Sequence, residues 1–268
     1  MNTTTPNHVF LPQTLKGLPA ARKKQELLYL LADKQLIVVE GETGSGKSVV
    51  IPTMIAEERA GMMKRVVVTQ NRRVLCSSIV EFLSKEMGSE VGNPIGYFYK
   101  GAKEVGWKTT MSFCTTGSLL QVIGNDPWLH GVDVVVVDEI HENTVQQNIL
   151  MTYLKEILTE RPDFRVVLMS ATLSSAEKSR IKEFFGPEAV GFMGIKGRTY
   201  PVERVYTMHR LETKRPYQQI QKKVIDATLE TLMAAHRRTE DGTIICFLPG
   251  KAEIREAYKQ LCEKNLQA

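Results

Sequence analysis

The residues with the clearest chemical meaning in this sequence are 41–48, which read Gly-Glu-Thr-Gly-Ser-Gly-Lys-Ser. This order fits the pattern G-x-x-x-x-G-K-[ST], in which a glycine-rich loop wraps its backbone N–H groups around phosphate oxygens. Lys47 can reach the outer phosphates of a nucleotide, and the hydroxyl of Ser48 can bind Mg²⁺. The segment therefore predicts a nucleotide site. Its predicted residues are Gly41, Glu42, Thr43, Gly44, Ser45, Gly46, Lys47 and Ser48.

A second candidate site is a pair of acids that follows a run of valines. Asp138 and Glu139 come directly after residues 134–137, and the carboxyl end of a buried strand is where ligands bind in open α/β sheets. Asp138 is predicted to hold Mg²⁺, directly or through water, and Glu139 to orient and deprotonate an attacking water. The predicted metal ligands are Ser48, Asp138 and Glu139, and the predicted catalytic residues are Lys47 and Glu139.

The rest of the first 200 residues shows an alternating pattern. Short β-branched runs alternate with longer amphipathic stretches from about residue 20, which predicts an α/β fold with a parallel sheet. Near-continuous apolar runs are typical of strands covered on both faces. The predicted strands are 36–39, 65–68, 111–114, 134–137 and 165–168, and the predicted helices are 20–32, 47–60, 72–87, 145–159 and 175–185.

The pattern changes near the Tyr200-Pro201 pair, because a residue before proline is driven into an extended conformation. Beyond it the sequence predicts strands at 203–206 and 243–247 and helices at 216–236 and from Lys251 onward. These strands are too few to close a sheet. The predicted domains are an N-terminal extension at 1–18, a first domain at 19–200 and the truncated start of a second at 201–268.

Composition and charge exclude several classes of protein. Hydrophobic residues make up 43% and charged residues 24% of the chain, which is typical of a globular protein rather than a disordered or fibrous one. The apolar runs are too short to span a bilayer, and residues 1–6 lack the regions of a signal peptide. We therefore expect an intracellular protein of the cytoplasm or nucleus, neither secreted nor transmembrane. The net charge of +5 is compatible with a polyanionic partner.

The cysteines predict neither a disulfide framework nor a structural metal site, because none belongs to a CxxC pair or a Cys/His cluster. Buried reduced thiols are expected instead. The four residues are Cys76, Cys114, Cys246 and Cys262.

Several segments, taken in chain order, resemble the motifs of the DEAH-box family of superfamily 2 RNA helicases. The phosphate loop is similar to the family's GETGSGK[ST] motif, and residues 138–141 resemble the DEAH signature in its DEIH form. The segment TQNRRV is similar to the family motif TQPRRV, and TTGSLL is similar to T-[DT]-G-x-L-L. The segment SAT is identical to a family motif, and FLPGKAEI is similar to FLPG-x-x-EI. The last four segments are residues 69–74, 115–120, 170–172 and 247–254.

The resemblance implies an RNA helicase core that hydrolyses ATP or another NTP with Mg²⁺ and couples hydrolysis to translocation or unwinding. It implies a RecA-like P-loop NTPase domain with a parallel sheet, followed by an incomplete second RecA-like domain, and it leaves room for protein cofactors. Contacts with the backbone of single-stranded RNA are implied at Arg72, Arg73, Thr115, Thr116 and Gly117. Coupling between the NTP site and the RNA is implied at His141, Ser170 and Thr172.

Three residues depart from the family pattern. Asn71 stands where the family usually has proline, Ser48 where threonine is commoner, and Phe82 where an arginine often stacks on adenine. The family's arginine fingers have no counterpart before the end of the sequence. Such a residue contributes about 10³–10⁵ to the rate, so the isolated chain is expected to hydrolyse NTP weakly.

Two alternatives stay open at this point. The chain could be a non-hydrolysing nucleotide- or RNA-binding module, since the completing arginines are missing. The same motor could also act on DNA or an RNA–DNA hybrid, because the contacts that the sequence predicts go to phosphates rather than to the 2′-hydroxyl.

Overall fold

The computed structural model divides into two compact units between Thr199 and Tyr200. The first unit holds the sheet, and the second holds two helices. The residues that the structure describes are 8–59, 65–197, 201–206, 217–238 and 242–263.

The first unit is built on one sheet. Its strands are β1 (Leu36–Gly41), β2 (Val66–Gln70), β3 (Ile95–Tyr99), β4 (Ala102–Glu104), β5 (Met111–Thr115), β6 (Val134–Val137), β7 (Arg165–Ser170) and β8 (Val190–Ile195). Within the described residues the sheet has eight strands in the order β4-β3-β5-β2-β6-β7-β1-β8. All neighbours are parallel except the β3–β4 hairpin. The predicted α/β class with a parallel sheet is thus confirmed.

Helices connect these strands and cover the sheet. They are α1 (Lys24–Asp33), α2 (Lys47–Arg59), α3 (Arg73–Met87), α4 (Thr116–Asn125), α5 (Val145–Glu160) and α6 (Ser175–Phe185). Among the described residues of the chain, no helix is both long and apolar enough to cross a bilayer.

The valine run of β6 shows why the sheet is buried on both faces. Val134 and Val136 belong to one hydrophobic core, while Val135 and Val137 belong to the other, as the period of two along a strand requires. All four side chains are fully buried, and burying a valine-sized side chain stabilises the fold by about 1.5–3 kcal/mol. The strand end that carries Asp138 is therefore held firmly.

All five strands predicted in the first unit are present, and β3, β4 and β8 are additional. Glycines obscure β8 because Gly191 and Gly194 interrupt its apolar pattern. A Cβ on Gly191 would lie 3.2 Å from Cδ2 of Leu30 in α1. The glycine is thus needed for close packing of a helix on the strand.

The second unit contains α7 (Tyr217–Arg238) and α8 (Lys251–Glu263), close to the two predicted helices. The predicted strands at 203–206 and 243–247 are wrong, because both segments are described without strand pairing. Their side chains are largely exposed, with Tyr206 at 83% and Phe247 at 91%. A strand is stabilised by a neighbour that completes its hydrogen bonds, and these segments lack one in the described part of the chain.

The cysteines differ between the two units. Burial raises the pKa of Cys76 to about 11 and that of Cys114 well above its ordinary value, so both are buried thiols as predicted. Cys246 and Cys262 are exposed, so the prediction is wrong for them. Cys246 is exposed because residues 243–247 do not join a sheet.

Candidate active site

The phosphate loop connects the end of β1 to the start of α2. Gly44 and Gly46 have φ values of +81° and +86°, in the left-handed region that favours glycine. A Cβ on Gly46 would lie 2.8 Å from Cδ1 of Leu18, so only glycine satisfies both the conformation and the space. The loop leads into a helix of 13 residues, whose N-terminal N–H groups and dipole attract phosphate.

Ser45 presents a buried hydroxyl inside this loop. Its backbone is held by the N–H of Ala20, which donates to the Ser45 carbonyl at 3.0 Å, whereas Oγ has no hydrogen-bond partner. Leaving such a group unsatisfied costs about 1–3 kcal/mol. A phosphate oxygen would satisfy it. Glu42 and Thr43 are exposed on the loop, and Gly41 is buried at the end of β1.

Lys47 links the loop to the acid pair. The side chain is 5% exposed, and its Nζ lies 3.6 Å from Oε1 of Glu139. A buried ammonium needs a charged partner, but this distance exceeds that of a direct hydrogen bond. Glu139 therefore neutralises Lys47 without fixing its position, and an incoming phosphate can bind the ammonium in place of Glu139.

Asp138 is the more firmly held of the two acids. It is 1% exposed, its Oδ2 accepts a hydrogen bond from Nε2 of Gln70 at 2.9 Å, and its Oδ1 accepts one from the backbone N–H of Glu139 at 2.9 Å. Each oxygen keeps a further lone pair, since a carboxylate offers about four acceptor sites. Asp138 is thus a fixed ligand rather than a mobile base.

Glu139 has both an unusual backbone and an unsatisfied side chain. Its φ of +52° lies in the left-handed region, where a residue other than glycine is strained. Its Oε2 is buried without a hydrogen bond and lies 3.3 Å from Nδ1 of His141. The oxygen can therefore accept a proton or bind a water molecule.

His141 lies between this carboxylate and Ser170. Its Nδ1 is 3.3 Å from Oγ of Ser170, and that hydroxyl donates to the carbonyl oxygen of Thr172 at 2.9 Å. The structure therefore brings His141 and Ser170 together, and their role in coupling stays a prediction. Thr172 contributes its backbone carbonyl to this contact, while the residue itself is exposed.

The residues of the site fit a magnesium ion. Mg²⁺ prefers oxygen ligands and keeps several waters, and the loop and the acid pair offer the Ser48 hydroxyl and the Asp138 carboxylate. Ser48 is half-buried at the start of α2. The unsatisfied Oε2 of Glu139 is suited to a metal-bound water.

A family profile matches this region of the chain. Residues 22–180 match the DEAD/DEAH box helicase family, which is more than half of the sequence. The chain belongs to the DEAD/DEAH box helicase family. The resemblance to DEAH-box RNA helicases that the motifs predict is confirmed.

Relatives of this helicase chain cover nearly all of it. It is 32% identical, over 94% of its length, to a pre-mRNA-splicing factor ATP-dependent RNA helicase of Schizosaccharomyces pombe, of which it covers 37%. The same identity and coverage hold for the ATP-dependent RNA helicase HrpA of Escherichia coli, of which it covers 18%. The crystal structure of the Escherichia coli DEAH/RHA helicase HrpB matches with a TM-score of 0.78 and 29% identity, over 92% of this chain and 30% of that one. The helicase chain therefore spans less than two fifths of these relatives.

The residues predicted to contact RNA leave the sheet side by side. Gln70 at the end of β2 is the register partner of Thr115 at the end of β5. Arg72 and Arg73 are exposed at the start of α3, whereas Thr116 is buried at the start of α4. Thr115 Oγ1 is 2.9 Å from Oγ of Ser118, and Gly117 is half-buried beside Gln146.

Sequence reasoning missed Gln147, a buried residue of α5 that touches the acid pair. Its Nε2 donates to the backbone carbonyls of Asp138 and Glu139 at 3.3 and 3.2 Å. Gln147 also forms a capping box with Thr144 at the start of α5. The spacing Thr-x-x-Gln before an apolar run is the signal that could have identified it.

Glu40 was also missed, although a charged residue in the apolar run of β1 is unusual. Its Oε1 accepts the backbone N–H of Leu173 at 3.1 Å, and its carboxylate pairs with Lys178 of α6. The hydrogen bond from Lys178 lowers the pKa of Glu40; burial opposes this shift, and the bond from Leu173 adds to it. Glu40 thereby ties the start of the phosphate loop to the segment after residues 170–172.

Proposed function

We propose that this helicase chain binds Mg²⁺ and an NTP at the phosphate loop and single-stranded RNA at the ends of β2 and β5. NTP hydrolysis then drives translocation or unwinding. The observation that carries the proposal is the 3.6 Å approach of Lys47 Nζ to Glu139 Oε1. It supports hydrolysis because a phosphate-binding cation beside a carboxylate base is the arrangement that water attack on a γ-phosphate requires.

RNA is the favoured track because the relatives are described as ATP-dependent RNA helicases. Arg72 and Arg73 are exposed and can pair with phosphates whatever the base sequence. Thr115, Thr116 and Gly117 would add hydroxyl and backbone contacts from the neighbouring strand end. Protein cofactors would act through other surfaces.

Lys47 and Glu139 perform the central steps of the proposed mechanism. The γ-phosphate draws the Lys47 ammonium away from Glu139 and is neutralised by it. Glu139 is then free to orient the attacking water and accept its proton through the unsatisfied Oε2.

Ser48 and Asp138 would hold Mg²⁺, which neutralises charge that develops on the phosphate oxygens. Gln70 keeps the Asp138 carboxylate in one orientation through their 2.9 Å hydrogen bond. Asp138 therefore needs little reorganisation when the NTP arrives.

His141 and Ser170 relay the state of the site. A change in the charge of Glu139 alters the attraction on Nδ1 of His141 at 3.3 Å, and Nδ1 also contacts Ser170. Ser170 ends β7, and Thr172 lies between β7 and α6, so the relay would move the segment that leads into α6.

The proposal is tested by two substitutions in the chain. Lys47→Ala should weaken binding of Mg·ATP by about tenfold or more, since a hydrogen bond to a charged group contributes about 1.5–3 kcal/mol. Glu139→Gln should leave binding nearly unchanged and lower the single-turnover hydrolysis rate by about 10²–10⁴, the usual contribution of a general base. Binding is measured by fluorescence with a labelled nucleotide, and hydrolysis by phosphate release in the presence of oligo-uridine RNA.

Two exposed residues supply matched controls, Lys85→Ala and Glu156→Gln, and neither should change binding or rate. An unchanged rate in Glu139→Gln would contradict the proposed base. Nucleotide binding without even the weak turnover expected of the isolated chain would instead support a non-hydrolysing module. Equal affinity for matched RNA and DNA strands at one salt concentration would argue against RNA as the exclusive track.

A further inference from the structure

An amide side chain bridges the segment before α3 and the segment after β6. Nδ2 of Asn71 donates to Oε2 of Glu142 at 2.7 Å, and Oδ1 of Asn71 accepts from Nε2 of Gln147 at 3.3 Å. Both ends of the amide are therefore engaged. Asn71 directly precedes Arg72 and Arg73, the residues proposed to contact RNA phosphates.

The bridge continues to the backbone of the acid pair. The Gln147 amide that contacts Asn71 also donates to the carbonyls of Asp138 and Glu139. Gln147 is buried, and hydrogen bonds in a buried network are stronger than in water. The bonds form a continuous path from the residue before the two arginines to the backbone carbonyls of Asp138 and Glu139.

The segment held by this bridge is strained at both of its ends. Glu139 and Asn143 have φ values of +52° and +47°, and they flank a short 3₁₀ turn at Ile140–Glu142. Asn71 holds the last residue of this turn directly and holds Glu139 through Gln147. A strained segment with two anchors can change its geometry when either anchor moves.

Asparagine is essential to the bridge at this position. The DEAH-box motif that residues 69–74 resemble usually has proline there, and proline has no side-chain donor or acceptor. The two contacts of Asn71 therefore cannot form with the usual family residue.

We propose that Asn71 is a positioning residue that couples RNA binding at Arg72 and Arg73 to the geometry of Asp138 and Glu139. The inference rests on the proposed function. RNA phosphates that draw the two arginines outward shift Asn71, which moves Glu142 and Gln147 and thus the backbone of the acid pair. Nucleotide binding acts back on the RNA site through the same bonds, as thermodynamic linkage requires.

The test measures linkage in the full 268-residue chain. The dissociation constant of a fluorescent non-hydrolysable ATP analogue with Mg²⁺ is determined with and without a saturating oligo-uridine RNA. In the wild type, RNA should tighten analogue binding by about fivefold or more, the usual scale of such coupling. In Asn71→Ala, the ratio of the two constants should fall below about twofold, while each ligand alone binds as tightly as to the wild type to within about twofold.

Asn125→Ala is the matched control, because Asn125 is exposed and its amide donates to a single backbone carbonyl, that of Gln121. It should keep the wild-type ratio. A full ratio in Asn71→Ala overturns the inference, and so does a loss of affinity for both ligands with the ratio intact, which is the result of a merely structural role. A wild type that binds both ligands without linkage also overturns it. A wild type that binds neither ligand defeats the proposed function itself, and the inference with it.

A double-mutant comparison tests the route through Gln147. If Asn71 acts through that residue, Asn71→Ala should change the ratio little further when Gln147→Ala is already present, because residues in one network are not additive. Independent effects that simply add would contradict the route. Thermal melting checks that each variant is folded, and if Gln147→Ala fails to fold, the single variants still decide the question.

Discussion

Glu139 combines two energetic penalties in one residue. Its left-handed backbone and its buried oxygen without a hydrogen bond each destabilise the fold by about 1–3 kcal/mol. Neither feature belongs to the hydrophobic cores, whose residues do not include Glu139. A residue that destabilises the free protein in this way is typical of a site whose geometry serves a ligand.

Gly46 allows a prediction at the scale of single residues. Alanine at position 44 meets open space and is strained only by its φ of +81°, whereas alanine at position 46 is strained by a φ of +86° and would also approach Leu18 at 2.8 Å. We expect Gly44→Ala to destabilise the fold by about 1–2 kcal/mol. Gly46→Ala should destabilise it by about 1–3 kcal/mol more, because it adds overpacking. Urea unfolding measures both.

The Leu18→Ala background is the control for this comparison. Truncating Leu18 to its Cβ removes the 2.8 Å contact and should bring the effect of Gly46→Ala closer to that of Gly44→Ala, while Leu18 Cβ and Val50 Cγ2 remain at 3.2 Å. If the two glycine variants are equally stable in the wild-type background, the contact with Leu18 does not explain the glycine at position 46.

The residues of the phosphate loop could be predicted because their chemistry depends on a local pattern of eight residues. Gln147 could not, since its contacts with Asn71 and the acid pair join segments that only the folded sheet brings together. Its capping pattern identifies a helix start and says nothing of those partners. Contacts between distant segments are therefore the part of the site that the sequence leaves open.

Among the elements, β1 and α6 are tied by the carboxylate of Glu40, which sets a pH dependence. The pKa of Glu40 lies below its ordinary value of 4.5, so its stabilising contribution is present above pH 4.5 and disappears as the pH falls below it. Because Lys178 and Glu40 are partly exposed, the contribution is modest. We expect Glu40→Gln to lower stability by about 0.5–1 kcal/mol at pH 7 and by less at pH 3.

Urea unfolding at the two pH values measures this difference. Glu188→Gln serves as the control, because Glu188 is exposed and should show no such change. A difference between wild type and Glu40→Gln that is undiminished at pH 3 would show that the charge of Glu40 is not responsible.

Physical reasons explain why the sequence predicts some helices and strands and misses or misplaces others. The run of β6 is apolar at every position, so burial on both faces is evident from the residues alone. The glycines of β8 hide a strand because they serve the packing of α1. Residues 243–247 show the opposite error, because the sequence predicts a strand that the structure lacks. An apolar run is compatible with a strand, but it does not supply the neighbouring strand that it must pair with.

For the molecule as a whole, the two units differ in the size of their hydrophobic cores. Leu150, Leu154 and Ile157 anchor α5 in a large core, whereas α7 buries Ile225 and Leu229 in a core that is small among the described residues. Local opening is easier where few apolar contacts are lost. We expect amide hydrogens of α7 to exchange at least about tenfold faster than those of α5, since a difference of about 1.4 kcal/mol is enough.

Hydrogen exchange followed by mass spectrometry measures this rate for each helix. Both elements are α-helices of several turns, with 16 residues in α5 and 22 in α7, so their amide exchange rates can be compared directly. Equal protection of the two helices would contradict the expectation.

The contact of Leu18 with the phosphate loop has a practical consequence for choosing the first residue of a recombinant fragment of this helicase chain. The recognisable family sequence starts at residue 22, yet Val9, Leu11 and Leu15 are buried in the first core and Leu18 packs beside them. A recombinant piece that starts at residue 22 would lose the side chain that lies against Gly46 of the phosphate loop and would expose apolar residues of the first core to water. The limits of recognisable ancestry and of the folded unit therefore do not coincide.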